Sequence, residues 1–114
     1  MSDTDVVAEA VRDALDSLPA EIAERVDNVA VEIADEVPGH PGILGLYQGV
    51  PQPHRGGGYV AVLPDRITIF RRPLERLFGH DPALLRAQTI HTVHHEFAHH
   101  FGISDERLHE IDRY

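Results

Sequence analysis

The stretch that decides the fold reads His91-Thr92-Val93-His94-His95-Glu96-Phe97-Ala98-His99-His100-Phe101-Gly102-Ile103-Ser104-Asp105. Upstream, Asp81-Pro82 supplies an N-cap and a proline suited to the first helical position, which predicts one long helix up to about Phe101. On a helical wheel Ile90, Val93, Phe97 and Phe101 gather opposite Gln88, His91, His95 and His99. One face is expected to pack a core and the other to border a site.

Within that helix His95-Glu96-Phe97-Ala98-His99 is an HExxH pattern. Two histidines four apart lie about one turn apart along the axis and ~40° apart around it, so both imidazoles can reach one tetrahedral ion such as Zn²⁺. Glu96 falls beside that ion, where a carboxylate can take a proton from a water whose pKa the metal has lowered. His95 and His99 are therefore candidate metal ligands and Glu96 the candidate general base. With nine His in 114 residues, shuffling would produce HExxH roughly one time in twenty. Requiring Gly102 and a ligand-type residue at 105 lowers that to below roughly one in a thousand. Gly102 can adopt φ > 0, end the helix and turn the chain back, which makes Asp105 the candidate third ligand.

Asp105 also has a plain structural reading. Ser104 could cap a last helix with Asp105 at its first position and Ile103 stapled to Leu108. His91 continues the i, i+4 ladder and is an alternative ligand, whereas His94 and His100 lie off that face and suit polar supporting roles. His109 is a backup ligand, His40 and His54 sit in a Pro/Gly-rich loop that could line a cleft, and His80 precedes the N-cap. Tyr47 or Tyr59 could donate to an oxyanion, although a Tyr in such a segment more often serves packing.

Working outward, Val6, Val7, Ala10, Val11, Ala14, Leu15 and Leu18 recur at helical spacing and predict an amphipathic helix over residues 3 to 17. Pro19 opens a short helix through about Val26, and Asn28 to Ala34 alternates as a first strand. Val37 to Gly58 carries Pro38, Pro41, Pro51, Pro53 and seven glycines, which predicts a long ordered loop near a site with brief pairing at Leu44 to Gln48. Tyr59 to Leu63 and Arg66 to Phe70 flank Pro64-Asp65 and suggest a hairpin. The strand ending in Phe70 could then offer an edge to an extended peptide. Pro73 to Phe78 reads as a short helix ended by Gly79.

The length suits one domain spanning residues 1–114. No run approaches a membrane span, and the acidic N-terminus, unlike a basic leader peptide, predicts a cytoplasmic location. Without cysteine, disulfides, thiol catalysis and Cys-containing metal sites are excluded, including a deformylase-type centre. Residues 1–36 hold eleven acids against Arg12 and Arg25, whereas the remainder is balanced at eight against eight. That distribution speaks against nucleic-acid binding.

The pattern HExxHxxGxxD resembles the metzincin-type zinc motif with Asp in place of its third His. Together with Gly45-Leu46-Tyr47-Gln48-Gly49-Val50-Pro51 and Leu63-Pro64-Asp65-Arg66-Ile67-Thr68-Ile69-Phe70, the chain resembles the small bacterial metallopeptidase-like family with a minimal zincin fold. The resemblance runs from about Leu18 to Asp105. It implies an α+β fold with a small mixed sheet of three to four strands, helices packed on it, and the HExxH on the long C-terminal helix. It also implies one Zn²⁺ held by His95, His99 and Asp105, with Glu96 as base and peptides as substrates. Two rivals remain at this level. One is a catalytically idle metal-binding or protein-interaction domain, since the only Met is Met1 and no Met-turn can support the metal. The other is a hydrolase of non-peptide amides, since activated water does not specify the acyl group.

Overall fold

A computed structural model describes residues 2–24, 29–48 and 65–100. The first helix, α1 (Asp3–Asp16), starts where Ser2 and Asp5 form a reciprocal capping box, with Asp3 and Asp5 in the electropositive first turn. It buries Val7, Ala10, Val11 and Ala14, a stripe at i, i+3, i+4 and i+7. A single helical turn, α2 (Ala20–Ala23), follows Pro19 and inserts Ile22 into the core. The sequence placed the end of this helix near Val26, which lies outside the described residues.

Three strands form one mixed sheet in the order β1-β3-β2. Strand β1 (Val29–Ala34) pairs parallel with β3 (Asp65–Phe70), and β2 (Gly45–Gln48) pairs antiparallel with β3. The brief pairing expected at Leu44 to Gln48 is thus β2. The register aligns Val31 and Tyr47 with Ile67, and Ile33 and Gly45 with Ile69, so these residues share one face. That face turns toward the helices: Ile67 and Ile69 are fully buried, with Val29, Val31 and Tyr47 packed around them.

One expectation is corrected here. The strand ending in Phe70 offers no edge to a peptide, because β1 and β2 occupy both of its sides. Burial on both faces of Ile67 to Phe70 is what a central strand requires. Its supposed hairpin partner, Tyr59 to Leu63, lies outside the described residues.

Helix α3 (Arg71–Phe78) begins directly after β3, two residues earlier than Pro73 suggested. Proline is tolerated at the third helical position because that amide has no intrahelical acceptor in any case. Arg76 then ties α3 to the loop before β2, reaching Glu36 Oε1 at 3.3 Å and the Pro41 carbonyl at 2.8 Å. Helix α4 (Pro82–His100) starts as expected: Asp81 Oδ1 accepts from the amides of Ala83 and Leu84 at 3.0 and 3.3 Å.

Helix α4 buries Leu85, Val93, Phe97 and Ala98 and packs against α1, α3 and the sheet. Its buried Thr89 and Thr92 satisfy their hydroxyls within the helix, on the carbonyls of Leu85 and Gln88, both at 2.8 Å. No helix among the described residues is long and apolar enough to cross a membrane.

Candidate metal centre

Each histidine of α4 is placed by its angle on the helix. His94 falls on the core side and is fully buried, with Nε2 3.0 Å from the Ala14 carbonyl in the last turn of α1. It is a polar tie between α1 and α4 on the core side of the helix, away from the HExxH pair. His91, His95 and His99 lie on the opposite, accessible side, as the wheel predicted.

Their rings form a ladder. His95 and His99 approach to 4.1 Å between centroids at an interplanar angle of 53°, whereas His91 stacks on His95 at 5.9 Å. One ligand atom each from His95, Glu96 and His99 lies within 4.8 Å of the others. Nitrogen donors around a tetrahedral zinc at ~2.0 to 2.1 Å are separated by a little over 3 Å, so ligand atoms already within 4.8 Å of one another would draw together on binding an ion. An all-nitrogen-and-oxygen donor set also suits that ion, and the residues fit it. His91 stands one turn beyond this group, its ring 5.9 Å from that of His95.

Glu96 is half-buried, and its stem lies against strand β2. A Cβ built on Gly45 would stand 3.0 Å from Glu96 Cγ, 3.3 Å from its Cδ and 3.3 Å from Thr92 Cγ2. Two residues along β2, Tyr47 meets His100, four residues further along α4. The Tyr47 hydroxyl is 3.2 Å from His100 Nε2, and the rings stack at 4.0 Å. The match is geometric: two strand residues advance ~6.7 Å and four helical residues ~6 Å, so alternate β2 positions keep step with one α4 face. His100 Nε2 also lies 3.5 Å from Asp65 Oδ2, at the buried start of β3.

A cleft of about 380 Å³ opens beside this trio, lined by Ile43, Leu44, Gly45, His91, Thr92, His95 and Glu96. The loop expected near a site does therefore border it, through Ile43 to Gly45. His40 and His80 are exposed and outside this lining. Asp105, Gly102, His54, Tyr59 and His109 lie outside the described residues.

Three contributors escaped the sequence reading. Gly45 could have been suspected, since glycine inside a strand often marks close backbone approach. Asp65 looked like a turn residue and is instead a buried carboxylate beside His100. Thr92 gave no signal, because its place in the cleft wall depends on where β2 crosses α4.

A family model described as zincin-like metallopeptidase matches residues 15–114. No curated protein matches the chain.

Proposed function

Because the chain belongs to the zincin-like metallopeptidase family, we propose that it is a zinc-dependent peptidase, a single domain across residues 1–114 in which His95, His99 and Asp105 hold the ion. The observation that carries this reading is the convergence of His95, Glu96 and His99 within 4.8 Å on one accessible helix face bordering a cleft. Asp105 completes the set in the proposal because Gly102 can turn the chain back after the helix and a carboxylate oxygen is an accepted zinc donor.

A zinc ion bound there supplies Lewis acidity, which makes water a competent nucleophile near neutral pH and polarises a scissile carbonyl. This chain supplies the rest. Glu96, one residue from His95 and with a carboxylate oxygen within 4.8 Å of a nitrogen of each imidazole, accepts the proton of the attacking water and returns it to the departing amine. The cleft walls of Ile43, Leu44 and Thr92 shield one side of the reacting bond from solvent. Peptides are the substrate class that the family match supports.

The test separates metal binding from proton transfer. Glu96→Ala should keep zinc affinity within a few-fold of wild type and lose peptide turnover by a factor of at least about 10². His99→Ala should lose both. Turnover that survives in Glu96→Ala would remove the base from this account, and zinc binding without turnover in wild type would leave a metal-binding scaffold.

A further inference from the structure

We propose that Gly45 is a positioning residue for Glu96: its missing side chain is the seat that holds the base's stem against β2. This inference rests on the peptidase reading above and adds a residue to it.

Glycine in a strand weakens pairing relative to alanine, so a reason for it at the first residue of β2 should be visible. Backbone conformation supplies one for Gly39, whose φ is +80°, and around both Gly39 and Gly42 an added Cβ would meet nothing within 4 Å. Gly45 has no positive φ, yet a Cβ there would enter the space held by three atoms of α4. Two of those atoms, Cγ and Cδ, belong to the Glu96 side chain itself. A contact at 3.0 Å is tighter than most carbon neighbours adopt, so Glu96 would have to give by a few tenths of an ångström or turn to another rotamer.

The carboxylate oxygens hang from Cδ, so a rotation about the bonds below it is amplified at those oxygens. Those oxygens are the atoms that must stay near the His95 and His99 nitrogens for the base to act. Small misplacements of a reacting group are costly, about 10²-fold for 1 Å. None of the three atoms nearest to an added Cβ belongs to an imidazole, so a substitution there should leave metal capture alone.

The experiment compares wild type, Gly45→Ala and Glu96→Ala, each loaded with zinc, by three readouts. These are zinc affinity from chelator competition, kcat and KM on a peptide library, and affinity for acetohydroxamate, a small zinc chelator that carries a proton for a neighbouring carboxylate. Gly45→Ala should keep zinc affinity within about threefold and KM within about twofold. It should lower kcat by about tenfold or more and weaken acetohydroxamate in the same direction as Glu96→Ala. If the single variant does not fold, Gly45→Ala with Thr92→Ser is compared with Thr92→Ser alone, since the serine removes the methyl 3.3 Å away.

Wild-type kcat and acetohydroxamate affinity in Gly45→Ala would overturn the inference and leave the peptidase reading standing. So would a loss that follows zinc affinity alone. A wild type that binds zinc but turns over no peptide overturns the peptidase reading, and acetohydroxamate then still decides the role of Gly45. A wild type that binds no zinc overturns both.

Discussion

Five histidines lie between His91 and His100, and their roles are sorted by angle and depth on one helix. His95 and His99 face the cleft side, His94 faces the core, and His100 lies against β2 and the start of β3. The helical wheel made the first division legible, because residues four apart share a face whatever the rest of the chain does. It could not say what His94 or His100 would touch, since Ala14 and Asp65 are 80 and 35 positions away in sequence. The buried His94 carries a prediction at this scale. His94→Ala should remove its bond to the Ala14 carbonyl, leave a cavity between α1 and α4, and cost about 2–4 kcal/mol in urea denaturation. A cost below about 0.5 kcal/mol would mean that His94 ties nothing.

At the scale of elements, the sequence placed most helices and strands because local signals and burial agreed. The first helix, the Asp81-Pro82 start of α4 and the first strand each stand where the spacing put them, although within β1 the inward alternation holds at Val29 and Val31 and breaks at the exposed Ile33. What local signals missed was pairing. Nothing in Asp65 to Phe70 announces a central strand with a parallel neighbour on one side and an antiparallel one on the other, because register is a long-range property. The same limit hid Gly45, whose meaning depends on β2 running in step with α4. The N-cap of α4 offers the element-scale test. Asp81→Ala should destabilise the protein by about 1 kcal/mol, read as a lower urea midpoint at unchanged slope. An unchanged midpoint would show that the start of α4 is held by packing instead of by its cap.

Across the whole molecule the charge distribution changes meaning on folding. The sequence divides into an acidic first third and a balanced remainder, yet the fold sets arginines of the second part against acids of the first. Arg86 reaches Asp13 at 2.6 Å, Arg71 reaches Asp35 at 2.8 Å, and Arg76 reaches Glu36 at 3.3 Å. These pairs are partly exposed and individually worth ~0–1 kcal/mol. Their consequence is that acids of the N-terminal excess partly serve as ties between that segment and the helices beyond β3. Composition reports the excess but not the partners.

The same long-range logic governs the site, where β2, α4 and the turn proposed after Gly102 have to meet around one ion. Zinc titration by chelator competition, on tag-free wild type, Asp105→Ala and Glu96→Ala, tests that convergence most directly. Tight one-to-one binding is expected in wild type, weakening by about tenfold or more in Asp105→Ala as for loss of one of three protein ligands, with near-wild-type affinity in Glu96→Ala. Weak binding in wild type, or tight binding indifferent to Asp105, would contradict that convergence.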